Sequence, residues 1–320
     1  MDDAIRLGID ENGLGPRLGP LVVTAVVART WGEGHGRAEA RAKGAMRKRL
    51  GDSKKLVMHG NVALGEAWAR AIARRMGHGD GLHRPEDVLR VLSADSAEAL
   101  QAPCPRDHVH QCWRDDGEAF EADDKLVAQV ERDLARLADT GVDVRRAAFV
   151  VVCTRRLNEG VARGLTRFHM DLHAMERLAI EARAHFRQDV VATCGKVGGF
   201  DRYVPAFGPL GGRLHAVAEE GRARSEYHVP GLGQIAFVRD ADDKHLLVSM
   251  ASLVGKWARE VLMGRIVRHY READPELPVV SGYHDPVTTR FIAATELARK
   301  RAGIEGDCFE RKAVGSEREE

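Results

Sequence analysis

The stretch Gly8-Ile9-Asp10-Glu11-Asn12-Gly13-Leu14-Gly15-Pro16, followed by the apolar run from Pro20 to Ala28, constrains this chain more than any other. Two adjacent carboxylates close a short apolar strand, and a glycine-spaced turn follows them. Neighbouring strand residues point to opposite faces, so inside a sheet one member of the pair would point into a core. At a strand end that opens into a turn, both reach one polar cleft, where hard carboxylate oxygens suit a divalent cation. Gly13 and Gly15 let the backbone approach a ligand closely and adopt positive φ. An acidic pair in an ordinary turn has the same spacing, so this segment alone leaves both readings open.

Hydrophobic periodicity along the rest of the chain predicts an alternating α/β order. Strands are expected at 4–10, 20–29, 146–153, 189–194 and 235–238, with a hairpin over 213–219 and 224–229. Helical spacing covers about 37–50, 61–76, 85–92, 157–187, most of 246–272 and 287–302. Strands that come first, with helices separating the later ones, imply a mixed sheet with helices on its faces. Residues of about 77–125 read as an insertion. Its Cys104, His108, His110 and Cys112 follow a C-x3-H-x-H-x-C spacing that is not a usual structural zinc pattern, and no metal is expected there. Gly315 to Glu320 is charged and poor in apolar residues, so a frayed end is expected.

Composition narrows the class. At 320 residues the chain can hold one large or two modest domains. Its 49 basic and 48 acidic residues leave a net charge of +1, so any nucleic-acid binding must rest on a local basic surface. Five cysteines without regular spacing argue against a disulfide framework. No run approaches the ~20 apolar residues of a membrane span, and the acidic Met1-Asp2-Asp3 does not read as a signal peptide. The expectation is a cytoplasmic, monomeric enzyme with no membrane or protein partner.

Four stretches, in order, resemble the ribonuclease HII (type 2 ribonuclease H) family. DENGLGPRLGPLVVTAVV is similar to the family's Asp-Glu-x-Gly-Arg-Gly-Pro-x-x-Gly-Pro and the strand after it. Gly51-Asp52-Ser53-Lys54-Lys55-Leu56 is similar to Asp-Ser-Lys-Lys-Leu. Asp242-Asp243-Lys244, with Val248 to Lys256 and Arg259, is similar to the Asp-x-Lys…Ser-x-Ala-Ser-x-x-x-Lys-x-x-Arg block. Ser281 to Thr288 is similar to Gly-Tyr-x-x-Asp-Pro-x-Thr.

The resemblance implies an α/β, ribonuclease-H-like mixed sheet flanked by helices, with a C-terminal helical region. It places the catalytic domain at 1–262 with the insertion at about 77–125, the helical region at 263–312 and a flexible tail at 313–320. The implied function is metal-dependent endonucleolytic cleavage of the RNA strand in RNA–DNA hybrids, or at ribonucleotides embedded in duplex DNA. Asp10, Glu11 and Asp242 would be the catalytic acids and the ligands of Mg²⁺ or Mn²⁺, with Asp243 a lesser alternative. Two such ions about 4 Å apart activate the water and stabilise the leaving oxygen. The backbone of Gly13 and Gly15 would meet the ribose 2′-OH, the group that separates RNA from DNA. Ser53 and Lys54 would grip phosphate, and Tyr283 would stack on the sugar of the following DNA nucleotide. Lys54, Lys196, Lys244 and Lys256 would form a basic rim around the acids.

Two departures qualify the implied activity. Leu14 stands where the family has a phosphate-binding arginine, and Arg17 is the nearest substitute. In the stretch from Asp189 to Gly199, Gly195 falls where the family's third acid belongs. Cys194 beside it is a poor magnesium ligand, and Asp201 lies beyond the turn. The alternative is therefore a catalytically impaired homologue that binds hybrid without efficient cleavage.

Overall fold

The structure, a computed structural model, describes residues 3–51, 56, 57, 59–105 and 108–312. Seven strands form one mixed sheet: β1 (Ala4–Asn12), β2 (Leu21–Thr30), β3 (Val142–Val152), β4 (Val190–Gly195), β5 (Ala216–Glu220), β6 (Arg224–Val229) and β7 (Gly233–Val238). Their order across the sheet is β3-β2-β1-β4-β7-β6-β5. The first three make an antiparallel meander, and β4 and β7 run parallel to β1. The longer helices are α1 (Ala63–Ala73), α2 (Pro85–Leu92), α3 (Asp124–Asp139), α4 (Thr154–Ala162), α5 (Arg167–Phe186), α6 (Leu246–Arg271), α7 (Pro286–Ala294) and α8 (Glu296–Arg301). This is the α/β mixed sheet flanked by helices that the sequence implied.

The apolar run of β2 is continuous because both of its faces are covered. Leu21, Val23, Ala25 and Val27 join a core with Leu172 and Met175 of α5. Val22, Val26 and Ala28 join a second core with Trp68 of α1, Val130 of α3 and Trp257 of α6. A third cluster gathers Leu18, Phe291 and Phe309 around Met263, Ile266 and Tyr270 in the second half of α6. Among the described residues no helix is long and apolar enough to cross a membrane.

Glycine decides how close α6 comes to the sheet. A Cβ on Gly8 would run into the backbone of Leu247 and Val248, so the start of α6 lies directly on β1. That contact carries the first turns of α6, and the residues just before them, over the acidic end of β1.

Three segments differ from the periodicity reading. The helix expected at 37–50 is only a short helix at Gly34–Ala38 and a 3-10 turn at Gly44–Lys48. Gly44 at φ 57° interrupts it, and the segment lacks the apolar stripe that stabilises a short helix by packing. The helix expected at 157–187 is broken at Gly164 (φ 83°), and Thr166 starts a new one by capping the His169 N–H. α3 lies in a segment the periodicity reading passed over. Asp123 caps it, and Val127, Val130, Leu134 and Leu137 bury one face at helical spacing. The tail expected to fray, Gly315 to Glu320, lies outside the described residues.

Candidate active site

β1 extends to Asn12, so Asp10 and Glu11 occupy its last turn of pairing, opposite Thr24 and Val23 of β2. Asp10 is 8% exposed and shares the face of Gly8, beneath α6. The Ser252 hydroxyl of α6 hydrogen-bonds its carboxylate, and Asn12 Nδ2 donates to the Ser252 carbonyl at 3.3 Å. Burial, then the neighbouring charges of Glu11 and Asp242, hold the Asp10 carboxyl well above the usual carboxylate range.

The register of β4 explains the position of Gly195. Ile9 pairs with Cys194, and both side chains enter the core shared with α5. One step further, Gly195 falls beside Asp10. A Cβ on Gly195 would lie 2.5 Å from Asp10 Oδ1 and 3.6 Å from Glu11 Oε2. The strand position expected to carry the third acid therefore points at the first two and has no side chain. Cys194 points the other way.

Asp242 reaches the same place from the far side. After β7 the chain turns through Asp240, a non-glycine residue at φ 55°, into a one-turn helix at Ala241–Lys244. Its carbonyl receives the Ser249 hydroxyl at 2.5 Å, which ties the turn to α6. Asp10, Glu11, Gly13, Gly15, Gly195, Asp242 and Tyr283 all line one cleft of ≈ 330 Å³. Lys196, Arg239 and Lys256 line it as well.

The donor set is all carboxylate oxygen, which suits a hard divalent ion, and such an ion would relieve the repulsion that burdens Asp10. Among the described residues, no three His, Cys, Asp or Glu side chains are drawn together closely enough to hold a metal unaided. Gly195 marks where a further ligand is missing.

The alternatives to these acids are engaged elsewhere. Asp243 pairs with Arg41, and the Asp201 carboxylate takes the Lys196 ammonium at 3.2 Å. Neither lines the cleft. Of the expected basic rim, Lys196 is 2% exposed and also donates to the Gly221 carbonyl and to Ser225. Lys256 donates to the Val57 carbonyl. Lys244 is turned to Asp240 and the Arg239 carbonyl, outside the cleft. Ser53 and Lys54 lie outside the described residues.

The turn after β1 is held by arginines. Gly13 has φ 92°, and a Cβ there would strike Arg259 Nε at 2.5 Å, so this position requires glycine on both counts. Gly15 does not share that need: its φ is not positive, and a Cβ there would meet nothing within 4 Å. Arg311 is buried behind the turn and donates to the carbonyls of Gly13 (2.5 Å) and Gly19 (2.7 and 2.9 Å). Sequence reasoning missed it, since a lone arginine in a charged C-terminal stretch carries no periodic or motif signal. Arg17, the expected substitute at Leu14, is bound to Glu310 at 2.6 Å and to Thr289. Arg239 is the cleft guanidinium that the reading did not anticipate.

Tyr283 is 47% exposed at the cleft wall, with the Arg259 guanidinium 5.0 Å from its ring centre. The carbonyl of Gly282 accepts from the N–H of Arg17 and of Leu18, which fastens the tyrosine loop to the glycine turn.

No protein-family model and no curated protein matches the chain. Solved structures to which it is similar include the ribonuclease HII of Archaeoglobus fulgidus in its complex with PCNA, at 15% identity and a TM-score of 0.41, over 99% of this chain and 98% of that one. The Bst ribonuclease HIII in complex with Mn²⁺ is similar at 13% identity and a TM-score of 0.43, over 96% of this chain and 66% of that one. The ribonuclease H2 of Pyrococcus horikoshii OT3 is similar at 16% identity and a TM-score of 0.36, over 95% and 92%. These structures bear the family name that the sequence motifs suggested.

Proposed function

We propose that this chain is a metal-dependent endoribonuclease of the ribonuclease H type, acting on the RNA strand of hybrids or at ribonucleotides in duplex DNA. The observation that carries the reading is the convergence of Asp10, Glu11 and Asp242, more than 200 residues apart at the extremes, on one cleft with the glycine turn and Tyr283.

Asp10, Glu11 and Asp242 would hold Mg²⁺ or Mn²⁺, which binds through a few carboxylates and completes its shell with water and substrate phosphate. Once bound, the ion supplies an activated water and stabilises the departing oxygen. The Ser252 hydroxyl orients the Asp10 carboxylate. The open side of Gly15 leaves room for a sugar edge against the turn, and the exposed ring of Tyr283 offers a stacking face. Arg239 and Lys256 bring positive charge to a cleft whose acids would otherwise repel phosphate.

A second reading is favoured by Gly195 alone: with that ligand absent, the chain binds hybrid and cleaves poorly or not at all. The test is cleavage of an all-hybrid duplex and of a DNA duplex with one ribonucleotide, in Mg²⁺, in Mn²⁺ and with chelator. Metal-dependent cuts in the RNA strand, abolished in Asp10→Asn, support the nuclease. Tight hybrid binding without cuts supports the second reading, and neither cutting nor binding overturns both.

A further inference from the structure

Four of the five cysteines collect away from the cleft, where the insertion meets the end of β3 and the C-terminal segment. Cys104 and Cys112 come from the insertion, Cys153 is the residue that begins α4, and Cys308 lies in the short helix Gly306–Phe309. Their surroundings differ sharply. Cys104 is half-buried, and the Trp113 indole N–H donates to its Sγ at 3.4 Å. The thiol of Cys153, itself buried, forms a hydrogen bond with the same sulfur. His108 and Arg155 add positive charge nearby. Cys112 is buried beside Gln111, and the Cys308 sulfur receives Arg155 Nη1 at 3.7 Å.

We propose that Cys104 and Cys153 form a peroxide-sensitive thiol pair, in which Cys104 is the attacking sulfur and Cys153 the resolving one. Two N–H or S–H donors and two cations converge on the accessible sulfur, the setting that stabilises a thiolate. The bond from Cys153 and the indole N–H hold Cys104 down, at about 6, against the opposing effect of its burial. Cys153 is pushed up by its bond to Cys104 and by burial, and Cys112 is pushed up to about 12 by burial. The Cys104 thiolate displaces hydroxide from the O–O bond of a peroxide and becomes a sulfenic acid. The Cys153 sulfur then attacks the sulfenic sulfur, the S–O bond breaks, and water leaves with the Cys153 proton. Two electrons pass from the two thiols to the peroxide, whose oxygens depart as hydroxide and water. The contact between the sulfurs makes Cys153 the nearest resolving partner. A metal centre is the less suitable use of these thiols, because among the described residues no three such ligands are close enough to share an ion.

The pair is tested on the full chain, freshly reduced and freed of reductant. Chloroacetamide labelling followed by peptide mass mapping should modify Cys104 first, about tenfold faster at pH 7 than Cys112 or Cys308, with a rate that levels off above pH 7. One equivalent of hydrogen peroxide should then produce a Cys104–Cys153 disulfide that dithiothreitol reverses. In Cys153→Ser the same treatment should leave a sulfenic acid on Cys104 that dimedone traps. The wild-type measurements stand by themselves if that variant does not fold. Labelling of Cys104 no faster than of Cys112, a disulfide joining other cysteines, or native zinc that shields these thiols would each overturn the proposal.

Discussion

Gly195→Asp tests the site most directly, because the structure fixes where the new carboxylate goes. Its Cβ would begin 2.5 Å from Asp10 Oδ1, so Asp10 must rotate aside by roughly the 1 Å that separates this from an ordinary contact. The obstacle is the far end of a side chain and not backbone, so the fold accommodates it. The electrostatic consequence is larger. Two carboxylates about 4 Å apart repel by about 4 kcal/mol at an effective dielectric constant of 20. Holding a proton on one of them at pH 7 costs a similar amount, about 1.4 kcal/mol for each unit between its pKa and the pH. The metal-free variant should therefore melt lower, by several degrees at roughly 2–4 °C per kcal/mol for a large domain. A divalent ion between the carboxylates removes the repulsion, so Mn²⁺ or Mg²⁺ should restore the melting temperature. Metal affinity should rise by up to about a thousandfold, the equivalent of 4 kcal/mol. Gly195→Asn has nearly the same shape without the charge and separates crowding from repulsion. The assays are thermal melts with chelator and with metal, titration calorimetry of Mn²⁺, and cleavage of a single-ribonucleotide duplex at limiting Mg²⁺. Equal losses in the Asp and Asn variants, untouched by metal, would refute the view that Asp10 and position 195 share a cation.

Three further outcomes follow from the same geometry. Because the folded chain keeps a proton on Asp10 to a higher pH than the unfolded chain, metal-free stability should fall as pH rises from the ordinary carboxylate range through the raised one, and Mn²⁺ affinity should rise over the same interval. Asp10→Asn should flatten that decline in melts from pH 4 to 8 and abolish cleavage; an unchanged pH profile would count against the assignment. Tyr283→Ala, at an exposed ring, should leave the melting temperature nearly unchanged while lowering cleavage at a single embedded ribonucleotide about tenfold, and Tyr283→Phe should retain most of it. Equal loss of stability and activity would make the ring structural. Arg311→Ala removes the buried donors to Gly13 and Gly19 and should cost about 2–4 kcal/mol in urea unfolding together with most of the cleavage; wild-type values for both would show that the turn holds itself.

Alternation and motif spacing were enough to identify the strands, because side chains at every second residue of β2 meet one core or the other whatever lies beyond them. The acidic pair, the glycine turn and the Asp242 block were legible for a similar reason: each is a local pattern complete within a dozen residues. Local pattern failed where tertiary packing decides helix ends, as at Gly44 and Gly164, and where a segment such as 124–139 was passed over.

What no local pattern contains is which distant groups meet. That Gly195 rather than Cys194 faces Asp10 follows from the register of β4 on β1, since a shift of one residue exchanges the two faces. That Asp243, Asp201 and Arg17 are spent on Arg41, Lys196 and Glu310 depends on side chains up to 293 residues away. Arg311 closes the turn at Gly13 from 298 residues along the chain, and Cys104 meets Cys153 only because the insertion folds back on β3. The sequence determined the chemistry available and the elements that carry it. Register, helix approach and chain return determined which of those groups share a cleft.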